Sequence, residues 1–371
     1  MMNAIINEIG NFVPNQRLKN AKIYFYGIGS VFKSFYHRCR LIGCQLDKYD
    51  EFYFVDTNPE NAGGNVGCKS IITLDEIDID NAIVFISVTY VNFISISKAL
   101  IERGLIVGEN VFHYLILDVF VNEQLLKPVL SLRNSQKGKS CFIVGTGPSL
   151  EVNDLKTLQE HNSITFSMNG ITKLFNETEW RPNYIVVHDK VVASFFQEQY
   201  SSDITYFHKW GFNFENIPSV SNVFFFALKC VDVIYFSRIM SSNSLQFSED
   251  IFGLQPGGTT TYSALQLANF MGFEKIFLLG VDNAWMTEFD HSHRIVKNNI
   301  VRNHFVDNYS EVANSLDDHP NISYPLNFSY ECAKKYAEEH GIKIFNATRG
   351  GNLEVFDRVN FDDIFKGGFN I

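Results

Sequence analysis

The chain has 371 residues, of which 46% are hydrophobic and 19% charged, and its net charge is −10. This composition excludes a disordered chain, and the length suits two domains better than one core. The acidic balance excludes a non-specific nucleic-acid binder, which needs a basic face to release counterions.

No long apolar stretch of a signal peptide stands in residues 1–20, and no run of about 18 apolar residues is present to span a bilayer. The expectation is a cytoplasmic protein, with room for peripheral association at the inner face of the membrane and for homo-oligomers. Cys39, Cys44, Cys68, Cys141, Cys230 and Cys332 form neither a CxxC pair nor a metal-ligand spacing, which fits a reducing compartment. Cys141 and Cys230 lie in apolar runs and read as buried thiols.

In chain order, Lys22–Tyr26 (KIYFY) reads as a buried strand. It runs into Gly27-Ile28-Gly29-Ser30 and a helix over residues 31–42. Residues 51–55 form a second strand ending on the turn Asp56-Thr57-Asn58-Pro59, residues 82–88 a third, and residues 91–102 a helix. Strand, glycine turn, helix, strand and acid follow in the order of a Rossmann half. The third glycine position holds Phe32, however, which argues against a dinucleotide even though Asp56 stands where a ribose-binding acid would be. Residues 127–140 are basic and turn-rich and read as a linker. This divides the chain into an N-terminal Rossmann-like domain, 1–130, and a second α/β domain, 131–371.

The second domain opens with a strand at 141–144, the loop Gly145-Thr146-Gly147-Pro148-Ser149-Leu150 and a helix at 154–160. Strands follow at 164–167 and 184–187. Residues 259–271 form a helix stopped by Gly272, and Lys275–Leu279 a strand ending on Gly280-Val281-Asp282. A helix at 328–340 stops at Gly341 and leads into a strand at 342–345.

The glycines of the 145–150 loop let backbone N–H groups approach an anion, Thr146 and Ser149 add hydroxyl donors, and a helix follows. No Gly-Lys-Ser/Thr is present, so this is not a P-loop. A plain tight turn is the bland alternative. Ligands of open α/β sheets sit at the carboxyl ends of strands, where Asn169, His188-Asp189 and Asp282 also fall. The start Gly257-Gly258-Thr259-Thr260-Thr261 suits either phosphate or simple N-capping. Asp290, His291 and His293, with His304 further on, lack a third metal ligand of convincing spacing; a lid carrying a catalytic histidine is the sharper alternative, and exposed loop histidines are the leading reading for any one of them. Arg349 could neutralise a phosphate, or pair with Glu354 or Asp357.

The segments FIVGTGPSL (142–150), PNYIVVHD (182–189), GGTTTYSALQLANFMGFEKIFLLGVD (257–282) and GIKIFNATRGGNLEVFDRV (341–359) together resemble one family. It holds the MptE-like hydroxymethylpterin diphosphokinases and the motility accessory factor glycosyltransferases of flagellin, and it is distantly similar to bacterial sialyltransferases. The resemblance covers about 138–365. It implies a sialyltransferase-like, GT-A-variant nucleotide-binding domain, with Gly145, Gly147, Ser149 and Asn169 on the CMP part of a donor and Thr259 and Thr260 on its phosphate or carboxylate. Two departures stand out: an expected arginine is replaced by Gly257, and the family's catalytic histidine falls near Tyr324. The base is then expected among His304, His293 and His319, or at Tyr324.

The leading expectation is an inverting, metal-independent transfer of a nonulosonate from a CMP-activated sugar to a bacterial surface glycan or protein acceptor, with no cofactor. Two alternatives stand beside it. One is a diphosphokinase passing pyrophosphate from ATP to a pterin alcohol, with Asp189 and Asp282 holding Mg²⁺. The other is a non-catalytic glycan-assembly protein.

Overall fold

The computed structural model describes residues 2–13, 20–58, 60–187, 200–209, 222–228, 246–284, 287–289, 295–297 and 323–368. The chain divides into two compact units, one built on residues up to Lys127 and one from Pro128 onward.

The first unit contains α1 (Met2–Phe12), β1 (Lys22–Tyr26), α2 (Ser30–Leu41), β2 (Phe52–Val55), β3 (Asn65–Val66), β4 (Lys69–Ile72), β5 (Ala82–Ile86), α3 (Tyr90–Ile101), β6 (Val111–His113) and α4 (Leu115–Leu126). Its sheet runs β3-β4-β2-β1-β5-β6 and is parallel apart from the β3–β4 pair. Phe32, in the place of a third fingerprint glycine, is buried and packs against Phe25 and Phe54. A ring there fills the gap that a glycine would leave for close approach of helix to strand. Asp56 braces its own loop, since its Oδ2 accepts from the Ile28 N–H at 2.8 Å and from Asn61 Nδ2 at 2.9 Å.

The second unit contains β7 (Ser140–Val144), α5 (Val152–Glu160), β8 (Thr165–Met168), β9 (Tyr184–Val187), β10 (Thr205–Lys209), β11 (Val223–Phe226), α6 (Thr260–Phe270), β12 (Lys275–Leu279), the hairpin β13 (Thr287–Phe289) and β14 (Ile295–Lys297), α7 (Ser323–His340), β15 (Lys343–Asn346), β16 (Asp357–Arg358) and the short α8 (Phe361–Asp363). The eight-stranded sheet has the order β11-β10-β9-β8-β7-β12-β15-β16 and is parallel throughout.

Its strands are apolar on both sides because both faces are covered. Alternate residues supply the two cores. Cys141, Ile143, Phe166, Met168, Ile276 and Leu278 face one core with Tyr262, Leu265 and Tyr330. Phe142, Val144, Ile185, Val187, Phe277 and Leu279 face the other with Leu155, Leu158 and Phe361.

The 127–140 segment is not a free linker. Val129 is fully buried in the first of these cores. The N–H groups of Asn134, Gln136 and Gly138 bond the carbonyls of Phe270, Met271 and Gly272, and the Arg133 guanidinium lies over the Phe270 ring. The segment therefore satisfies carbonyls that the end of α6 would otherwise leave open, which explains its polar, turn-rich composition. Among the described residues, no helix is long and apolar enough to cross a membrane.

Candidate functional site

The chain leaves β7 towards β8 on one side of the sheet and later returns to β12 on the other side of β7. The loops after β7 and β12 therefore diverge, and ligands of open α/β sheets lie in such a crevice. The 145–150 loop and Asp282 both stand at this switch point.

The structure revises how the loop works. The Gly145 N–H bonds the Leu279 carbonyl at 2.7 Å, the Gly147 N–H the Gly280 carbonyl at 2.9 Å, and the Leu150 N–H the Gly147 carbonyl. The glycine amides expected to cradle phosphate are thus spent on the strand beside them. The glycines serve a close approach of chains instead. A Cβ on Gly145 would collide with the Gly280 carbonyl, and one on Gly147 with the Asp282 carboxylate. The helix start is also some way off, as α5 begins at Val152. There the Glu151 N–H is already met by Asp154 Oδ2 at 3.2 Å.

Asp282 takes the position expected of a ligand anion. Its Oδ2 accepts from the Ser149 hydroxyl at 2.8 Å and from the Ser149 N–H at 3.4 Å. The side chain is buried, and burial raises its pKa above the ordinary carboxylate value, with the two Ser149 bonds pulling the other way. The backbone around it is held from the C-terminal strands. Thr348 Oγ1 accepts from the Val281 N–H at 3.1 Å, and the Asn352 N–H bonds the Asp282 carbonyl at 2.7 Å. Gly351, at φ +71°, packs so closely that an added Cβ would lie 2.5 Å from that carbonyl oxygen. Arg358 ties the turn together by donating to the carbonyls of Thr348, Gly350 and Gly351.

Arg349 does not stand free for phosphate. Its guanidinium pairs with Asp154 at 2.6 Å and Asp362 at 3.2 Å, over the Phe361 ring. Its partners are neither Glu354 nor Asp357; the first of these pairs with Arg358. Thr259 is the N-cap of α6, its Oγ1 accepting from the Thr261 N–H at 3.3 Å, and the Tyr330 hydroxyl bonds Thr261 and Thr259. Capping thus accounts for Thr259, while Thr260 is buried in the first turn. The missing arginine at Gly257 has a local reason, because a Cβ there would strike the Tyr262 ring.

Asn169 begins a 3₁₀ turn directly after β8, and Tyr324 lies in the first turn of α7. The side chains of both lie outside the described residues, as do Asp189, His293, His304, His319 and Cys230 altogether. The candidates brought together at the switch point are therefore Gly145, Thr146, Gly147, Ser149 and Asp282. Thr348, Gly351 and Arg358 were not expected there; the first two stand in the turn-rich NATRGG run, read for its Arg349, and Arg358 lies seven residues after it. Among the described residues, no group of three or more His, Cys, Asp or Glu is placed to hold a metal.

A family model described as 6-hydroxymethylpterin diphosphokinase MptE-like matches residues 119–288. The matched segment is similar to that family. It runs from within α4 to β13, so it includes the Ser149–Asp282 meeting point, whereas α7 and the Thr348–Arg358 brace follow it. The structure of the MAf glycosyltransferase from Magnetospirillum magneticum AMB-1 is similar over 92% of this chain and 58% of that one, at 12% identity and a TM-score of 0.40. This chain thus spans less than two thirds of that protein's length. No curated protein matches.

Proposed function

We propose that the second unit is a glycosyltransferase that moves a nonulosonate from a CMP-activated donor to a glycan or protein acceptor of the bacterial surface. The observation that carries this reading is the meeting of Ser149 and Asp282 at the β7–β12 switch point, on the loop whose Gly-x-Gly-Pro-Ser pattern resembles the sialyltransferases. In the reaction the acceptor oxygen attacks the anomeric carbon, the bond to the CMP phosphate breaks, and the acceptor proton passes to a base. The proposed base is His304, His293, His319 or Tyr324. Hydroxyl donors at Thr146 and Ser149, with Asn169, would hold the departing phosphate.

One observation favours a second reading. A carboxylate on the loop repels a phosphate unless a cation lies between them. Mg²⁺ is bound through one or two carboxylates together with substrate phosphates, and Asp282 suits that part. The reading is then pyrophosphate transfer from ATP to a pterin alcohol, the activity named in the MptE-like description. Bound Mg²⁺ would neutralise charge on the transferred group, while Asp282 and Ser149 orient it.

Thermal unfolding with CMP, CDP, UDP, NAD, and ATP with Mg²⁺ separates the readings, since a ligand of the folded state raises Tm. CMP stabilisation that survives EDTA supports the glycosyltransferase. Stabilisation by ATP only with Mg²⁺ overturns it in favour of the diphosphokinase, and stabilisation by NAD alone would move the site to the first unit.

A further inference from the structure

Asn283 follows Asp282 in the loop after β12 and is 7% exposed, with φ +50°. Its Nδ2 donates to Asn327 Oδ1 of α7 at 2.7 Å. Its own Oδ1 is buried and has no hydrogen-bond partner among the described residues. A buried amide oxygen without a donor loses its hydration and gains nothing in return. The bond to Asn327 uses the amide nitrogen in this structure, and the oxygen is the open acceptor.

The position of this pair is informative. Asp282 and Asn283 are consecutive, so the open acceptor lies at the same switch point as Ser149. Asn327 stands one helical turn after position 324 on α7. The pair therefore ties the loop after β12, which also carries Asp282, to the N-terminal part of α7.

We propose that Asn283 is a substrate-binding residue, held in register by Asn327, whose Oδ1 accepts a hydrogen bond from an O–H or N–H group of the bound donor. The inference rests on the nucleotide-binding reading above. Its ligand chemistry is a hydrogen-bond donor, supplied by a ribose hydroxyl or by the exocyclic amine of the base. The two sources separate with CMP and UMP, which share the ribose and differ at that amine.

The test is calorimetric titration of the full chain with CMP, UMP, and ATP with Mg²⁺, for wild type, Asn283→Gly and Asn327→Ala. Glycine accepts a positive φ, which offsets part of the loss of the Asn327 bond, so Asn283→Gly is expected to remain folded. It should weaken the ligand bound by the wild type at least tenfold, and Asn327→Ala at least threefold, because the amide is then free to turn. Loss for CMP with UMP weak in both proteins assigns the base amine; equal loss for CMP and UMP assigns the ribose.

Wild type that binds while both variants match it within twofold overturns the assignment of Asn283 alone. Wild type that binds none of the three overturns the nucleotide reading and this inference with it. If Asn283→Gly proves unfolded, Asn327→Ala decides: unchanged affinity overturns the inference.

Discussion

Replacing Asp282 by asparagine removes a charge from a buried site while keeping an oxygen that can accept from Ser149. Asp282 is 8% exposed, and its carboxylate accepts from the Ser149 hydroxyl and N–H and from its own backbone N–H. These bonds, the Ser149 N–H one long at 3.4 Å, do not offset the desolvation of a full charge, which is why burial leads in raising its pKa. The sign follows from linkage. An acid whose folded pKa is raised contributes stability below its unfolded pKa of about 3.9, and that contribution is lost as pH rises through the folded value.

Asp282→Asn does not titrate, so its advantage over wild type should be absent at about pH 3.5, grow above pH 4 and level off once Asp282 is ionised. At neutral pH we expect a gain of about 1–2 kcal/mol, set by the cost of a poorly compensated buried charge against a neutral hydrogen bond. For a unit of this size that is about 3–6 °C in Tm. Thermal melts of both proteins from pH 3.5 to 8 read the difference directly. A variant less stable than wild type at pH 7, or a gap that does not change with pH, would refute the reasoning.

Three further outcomes are expected. Gly147→Ala forces a methyl group against the Asp282 carboxylate and brings it within 2.7 Å of the Gly280 carbonyl; it should cost about 2–3 kcal/mol in urea unfolding, and Asp282→Ala in the same chain should recover part of that, whereas strict additivity would argue against the contact. Arg349→Met leaves Asp154, whose side chain is 2% exposed, without its cation; a loss of about 2–4 kcal/mol with nucleotide affinity unchanged within about twofold is expected, and a large loss of affinity would return Arg349 to the ligand. Gln266 is fully buried and bonds the Ser248 and Gln255 N–H groups and the Gln255 and Tyr262 carbonyls. Gln266→Leu should therefore cost about 2–4 kcal/mol, and a neutral result would show that water replaces it.

Much of the second unit was legible because its parallel strands are continuous apolar runs punctuated by glycine. The expected strand at 141–144 is Ser140–Val144, that at 164–167 is Thr165–Met168, and the helix at 259–271 is Thr260–Phe270. The expected helix at 328–340 starts five residues earlier, at Ser323, because Pro325 lies within the first turn, where its missing N–H is not needed. The strands Thr205–Lys209 and Val223–Phe226, the second of them at the sheet edge, were missed, each being a short aromatic run. In the first unit α1 and the β3–β4 pair were missed as well.

The chemistry was less legible than the strands. Gly145–Leu150 and Asp282 were both picked out, yet nothing in their spacing says that Ser149 and Asp282, 133 residues apart, share a hydrogen bond. Pairing across the sheet is a product of register, and register places a serine hydroxyl where a phosphate was expected to find it. Arg349 shows the same limit. Its sequence neighbours Glu354 and Asp357 suggested a partner, whereas the fold supplies Asp154 from α5 and Asp362 from α8.

The most direct test is a crystal structure of the full chain grown with CMP. The account predicts the phosphate at the carboxyl ends of β7 and β12, with an oxygen about 3 Å from the Ser149 hydroxyl. It also predicts the Ser149–Asp282 bond opened or bridged. CMP bound elsewhere, such as beside Gly27 in the first unit, with that bond intact would contradict it.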